Sequence, residues 1–181
     1  MINYKMILDF FKAAANLKNV ARQGWIEKAI TENPESVADH SYSMAIISMI
    51  FADLENYNSE KILKMVLLHD LAESITGDIT PEKMSKQEKI DLENNAFEKI
   101  ISNLPESLSK EYLMIWKDYQ ENNSKEANLV HQIDKLEMTL QAKLYEKHGI
   151  SKEKLKSFYD SANFGISEPK LKEVFTKIMN D

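Results

Sequence analysis

Apolar positions recur at three- and four-residue intervals along almost the whole chain, the period of helices that each bury one face. Met6, Ile7, Phe10, Phe11 and Ala14 set that rhythm over Tyr4 to Leu17. A break is expected at Gly24, within Arg22-Gln23-Gly24-Trp25, and a turn at Asn33-Pro34-Glu35-Ser36. Ser36-Val37-Ala38-Asp39 has the form of a capping box, so a helix should begin near Val37 and run to about Glu55. Tyr42, Met44, Ala45, Ile46, Ile47, Met49, Ile50 and Phe51 make it apolar on most sides, the pattern of a central helix.

A third helix is predicted from Ser59 to about Ile75, stopping at Gly77, with Thr80-Pro81 as the cap and first residue of the next. Further helices are predicted at Lys86 to Ser102, Leu108 to Glu121, Ser124 to Lys147, Ser151 to Ser161 and Pro169 to Met179. His148-Gly149 offers a cationic last turn and a glycine stop. Neither an internal repeat nor a linker is visible. The expectation is one all-α domain over residues 1–181, with C-terminal helices over 151–180.

Composition supports long helices joined by short connections. The 181 residues include only four glycines and four prolines, which leaves little material for turns. The net charge of −6 supplies no global positive field, which argues against polymeric nucleic acid or an anionic membrane as partner. No cysteine is present, so a metal site must use histidine and carboxylates. The most apolar stretch, Tyr42 to Ala52, is far short of the roughly 20 residues a membrane span needs. With no secretion-type leader visible, a cytoplasmic location is expected. Of 23 basic residues, Arg22 is the only arginine. In a chain that otherwise uses lysine, a lone guanidinium suits a place where a planar, two-pronged donor matters, as for phosphate.

The candidate chemistry begins at His69-Asp70. Ile62, Val66, His69, Asp70 and Glu73 fall on one face of the third predicted helix, so an imidazole and two carboxylates continue an apolar face. Buried carboxylates need positive compensation, and a divalent metal supplies it with ordinary His and Asp ligands. His40 points inward in phase with Met44, Ile47 and Phe51. On the long helix from Ser124, with Ile133 as zero and about 100° per residue, Leu129, Leu136, Leu140 and Leu144 lie within about 60°. Asp134 and Glu137 both fall inside the wider apolar arc, and this argument alone does not choose between them. His131 reads as an ordinary or outer residue. Met44, Met49, Met65 and Trp116 read as core packing and the lysine-rich tail as solvated surface.

The order His40, His69-Asp70, Asp134 resembles the metal-binding signature of the HD-domain phosphohydrolases. Glu35-Ser-Val-Ala-Asp-His40, His69-Asp-Leu-Ala-Glu-Ser-Ile-Thr-Gly-Asp78 and Asp134-Lys-Leu-Glu with Leu140-Gln-Ala are similar to the 5′-deoxynucleotidases of that superfamily, over about residues 17–146. The resemblance implies a helical HD-domain fold and one divalent metal held by His40, His69, Asp70 and Asp134, which favours Asp134 over Glu137 as ligand. Manganese or cobalt would serve, with magnesium, iron, zinc and nickel as further candidates. It implies hydrolysis of nucleoside 5′-monophosphates, with Glu73 and Asp70 catalytic beside Arg22, which orients the phosphate. Trp25, Asp78, Ile79, Thr80 and Pro81 would bind the nucleoside. Gln23-Gly24 between Arg22 and Trp25 follows the eukaryotic group, and a homodimer is the common assembly. The other readings are a phosphodiesterase or nucleotide pyrophosphatase of the same superfamily, and an inactive helical interaction module. Two-metal members use additional histidines, and only His131 lies between the His-Asp pair and Asp134.

Overall fold

The computed structural model describes residues 4–29, 31–102 and 104–181, with backbone alone for Tyr4, Lys5 and Met6, so the Met6 side chain lies outside the description. Its helices are α1 (Tyr4–Asn16), α2 (Val37–Leu54), α3 (Ser59–Leu68), α4 (Glu73–Thr76), α5 (Lys86–Ile101), α6 (Glu106–Glu121), α7 (Lys125–Lys147), α8 (Lys152–Gly165) and α9 (Pro169–Asn180). No strand interrupts them among the described residues; a single antiparallel bridge joins Ala21 to Ser36. The family-type all-α expectation therefore holds for these residues.

The centre of the fold is α7. Its 23 residues bury Leu129, Val130, Ile133, Leu136, Met138 and Ala142, and it packs against α2, α3, α6, α8 and α9. Phe97 of α5 stacks on Trp116 of α6 with centroids 4.1 Å apart, closing the far side of the core. The start of α2 is fixed by its predicted capping box. Ser36 Oγ accepts the Asp39 N–H at 3.1 Å, and Asp39 Oδ2 accepts the Ser36 N–H at 2.9 Å.

Several local expectations are corrected. Far from being central, α2 packs on α3 and α7 through a narrow stripe of Val37, His40, Ser41, Met44, Ser48 and Ala52. The small side chains in that stripe permit close approach, while Tyr42 (71% exposed), Ile46, Met49 and Ile50 face away. Met49 is therefore not core, although Met44 and Met65 are. Gly24 does not interrupt the helical path; residues 23–29 form a short helical segment that widens into a π-type turn at Trp25–Ala29. Thr80 caps no helix, because its hydroxyl donates to Glu27 Oε2 at 2.8 Å. The helix starts instead at Ser85, whose capping box with Glu88 is complete.

The third predicted helix is two pieces. His69 Nδ1 pairs with the Val66 carbonyl at 2.6 Å, the acceptor that the Asp70 amide would take in a continued helix. From there Leu71 bonds to Leu68, Glu73 to Asp70 and Ser74 to Leu71, all with three-residue closure, before α4 ends at Gly77 with φ 73°. Tightening to about three residues per turn stacks Asp70 and Glu73 on one side.

Because the cap sets the entry of the helix that carries His40, Ser36→Ala should lower unfolding stability by about 1 kcal/mol. Urea denaturation of the two proteins checks this.

Candidate metal centre and active-site cavity

Three separate segments deliver the predicted ligands to one place. His40 comes from the first turn of α2, His69 and Asp70 from the tight turn after α3, and Asp134 from the middle of α7. His40, His69 and Asp70 offer donor atoms within 4.8 Å of one another. Asp134 Oδ1 lies 3.3 Å from His40 Nε2, and Asp70 Oδ2 lies 3.1 Å from His69 Nε2 and 4.0 Å from His40 Nε2.

Both Nε2 atoms, together with Glu73 Oε2, are buried without a hydrogen-bond partner in the protein. Buried polar atoms are rarely left so unless something else engages them. Two imidazole nitrogens beside two carboxylates form a donor set suited to a divalent transition-metal ion. The residues thus fit a metal on the structure's own evidence. At His69 the carbonyl of Val66 can only accept, so Nδ1 carries the proton and Nε2 keeps its lone pair.

Electrostatics separates the carboxylates into two kinds. Burial opposes ionisation of Asp70, but His69, Arg22 and His40 outweigh it and hold the group below its usual range. Burial likewise opposes ionisation of Asp134, and Lys135, His40 and Arg22 overcome it. Glu73 is the contrary case. Burial first, then the charges of Asp70 and Asp78, push it well above an ordinary carboxylate. Burial and Arg22 would lower His40, yet the neighbouring carboxylates of Asp134 and Glu137 carry it up to about 9.

These groups open onto a cavity of about 560 Å³ lined by Arg22, Trp25, His69, Asp70, Glu73, Asp78, Ile79, Thr80, Pro81 and Asp134. Of the site residues expected from sequence, only His40 stands behind the wall. Arg22 Nη1 lies 3.4 Å from Asp70 Oδ2 and Nη2 4.0 Å from Asp134 Oδ1, so the guanidinium spans the two aspartate carboxylates. Asp78 accepts the Gln23 backbone N–H at 2.7 Å, tying the loop 78–81 to the arginine segment. Trp25 is only 1% exposed; it stacks on Phe158 at 4.0 Å and donates its indole N–H to Glu35 at 2.8 Å. It is part of the cavity's wall more than of its open surface.

Sequence reasoning missed several neighbours. Lys89 donates to the Ile79 carbonyl at 2.9 Å and sits 3.8 Å from Glu73 Oε1, restraining loop and carboxylate together. Its i,i+4 pairing with Glu93 looks like an ordinary helix-surface ion pair in the sequence. Phe158 and Tyr119 also line the cavity, and no spacing rule links α6 or α8 to the HD residues. His131 faces the cavity but stacks on Tyr119 and pairs with its carbonyl at 2.9 Å, in line with an outer role.

Comparison with known proteins matches residues 14–178 to the HD domain family. The chain is 41% identical over 192 residues to the 5′-deoxynucleotidase HDDC2 of Dictyostelium discoideum, covering 100% of this chain and 99% of that protein. It is 36% identical to the human 5′-deoxynucleotidase HDDC2, covering 96% of this chain and 85% of that protein. Among solved structures it superposes on a conserved hypothetical protein from Pyrococcus furiosus with TM-score 0.79 at 29% identity, covering 96% and 99% of the two chains.

If the unpartnered nitrogens are metal ligands, a divalent ion should protect the fold. Manganese at about 100 times its dissociation constant should add about 2.7 kcal/mol. Thermal unfolding after chelation and re-addition checks this, and His69→Ala should lose the protection.

Proposed function

The chain belongs to the HD domain family, and from that membership we propose that it is a divalent-metal phosphohydrolase that releases phosphate from deoxyribonucleoside 5′-monophosphates. The observation that carries the reading is the unpaired Oε2 of buried Glu73, facing the same cavity as a two-histidine, two-aspartate donor set and the chain's only arginine. A volume of about 560 Å³ accommodates a nucleotide and lies within the range of about 300–1,000 Å³ for small-molecule sites. Full-length likeness to proteins named as 5′-deoxynucleotidases supports the substrate class.

His40, His69, Asp70 and Asp134 would hold the ion, with manganese or cobalt as the proposed metals. A bound divalent ion supplies Lewis-acid stabilisation of phosphoryl oxygens and acidifies coordinated water. Glu73 accepts the proton of the attacking water as the new oxygen–phosphorus bond forms, and as the bond to O5′ breaks the departing oxygen takes up a proton from solvent, leaving nucleoside and phosphate. Arg22 orients the phosphate and offsets the charge that grows on its oxygens. The loop 78–81, held by Gln23, Glu27 and Lys89, positions the nucleoside.

We also propose a homodimer through the outer face of α2. Tyr42, Ile46, Met49 and Ile50 are exposed along one face of α2, and Tyr42 and Ile46 share a groove with Leu140 and Leu144 of α7, apolar surface of the kind that marks association. Sedimentation should give twice the chain mass, and Ile46→Glu should return it to one.

The central test is phosphate release from a panel of deoxyribo- and ribonucleoside 5′-monophosphates with manganese, cobalt or magnesium. Glu73→Gln should lower kcat by about 10²–10⁴ while metal content is retained. Arg22→Ala should lose about 10²–10³. Glu73 must be ionised to act, and its surroundings favour the proton, so activity should fall on acidification through a value above the ordinary 4.5. Release that survives Glu73→Gln unchanged would overturn its role. Failure of the wild type on every monophosphate would turn attention to phosphodiester or pyrophosphate substrates.

A further inference from the structure

We propose that Glu137 is the positioning residue for His40, fixing the imidazole by its Nδ1–H so that Nε2 alone faces Asp70 and Asp134. The proposal deepens the metal-centre reading above and rests on it.

The geometry is a bracket. Asp134 and Glu137 lie one turn apart on α7, and the His40 ring stands between their carboxylates. Asp134 Oδ1 is 3.3 Å from Nε2, and Glu137 Oε2 is 2.5 Å from Nδ1. His40 is fully buried and Glu137 is 2% exposed, so solvent does not compete for either group. A ring held at Nδ1 by a carboxylate acceptor is both oriented and restricted to one tautomer, and such a partner raises the basicity of the other nitrogen.

Local structure explains why that partner comes from another helix. His69 satisfies its Nδ1 on the carbonyl three residues earlier, at Val66. The corresponding carbonyl for His40 belongs to Val37, and the Ser41 hydroxyl already donates to it at 2.8 Å. The nearby carboxylate of Glu35 turns one oxygen away from the ring, accepting the Trp25 indole N–H at 2.8 Å with Arg22 Nε 3.9 Å from that same oxygen. Glu137 is the carboxylate that meets Nδ1. The sequence alone left Asp134 and Glu137 as rivals for one role; in the structure each takes a different nitrogen of the same ring.

The test combines calorimetric manganese titration with nitrogen NMR of histidine-labelled full-length protein. In the metal-free wild type, His40 should show the Nδ1–H tautomer or the doubly protonated ring, with Nε2–H as its sole proton excluded at high pH. Glu137→Ala should weaken manganese binding about 10–100-fold. Glu137→Gln, whose amide oxygen still accepts from Nδ1–H, should recover most of that loss. Wild-type affinity in Glu137→Ala would overturn the proposal, as would a Gln variant as weak as Ala. Should the Ala variant fail to fold, the Gln variant and the tautomer decide. A second manganese equivalent lost in Glu137→Gln would also overturn it, making Glu35, His40 and Glu137 a metal site themselves. If the wild type binds no divalent ion, the metal-centre reading fails, whereas the His40 tautomer still reports on the Glu137 contact.

Discussion

Negative charge gathered inside a helical core is the constraint around which this structure is arranged. Glu35, Asp70, Glu73, Asp134 and Glu137 all approach one another where α2, α7 and the turn after α3 meet. Desolvating that many carboxylates is costly unless cations or protons compensate. Arg22, the two imidazoles and, on the outer side, Lys89 and Lys135 provide part of the compensation. Glu35, pushed up to about 7 by burial and by Glu137, shows that compensation from the chain is incomplete. A divalent ion held by His40, His69, Asp70 and Asp134 would offset the two aspartates, which would give metal binding and folding a common electrostatic cause.

What could be read from the sequence was whatever depends on local periodicity or on a fixed word. The capping box at Ser36, the inward phase of His40 and the placement of Asp134 in an apolar arc all follow from spacing within one helix. Failures came where a side chain's choice of partner decides. The break after Leu68 depends on a side chain taking the Val66 carbonyl, and Thr80 is withdrawn from capping by Glu27, 53 residues away. The apolar face of α2 misled for a different reason. Burial followed the small residues that allow close packing, and the large ones were left outside.

The candidate site shows the same division. The proposed ligands stand in recognisable words, whereas Lys89, Phe158 and Tyr119 belong to helices whose own patterns describe an ion pair and core packing. Glu137 illustrates the limit most clearly. Its position in an apolar arc marked it as buried, but its contact with the second nitrogen of His40 depends on how α2 meets α7 and on Ser41 donating to the Val37 carbonyl.

The contacts around the cavity entrance also have a mechanical consequence. The loop from Asp78 to Lys83 is tied to the segment Gln23–Lys28 by Asp78 with Gln23, Thr80 and Lys83 with Glu27, and Glu82 with Lys28. None of those cross-links involves His40, His69 or Asp134. The entrance is thus held by contacts other than those that bring the two histidines and Asp134 together. Gln23 and Lys89 nevertheless join it to Arg22 and Glu73, so a change at the rim reaches the guanidinium and that carboxylate before it reaches the imidazoles.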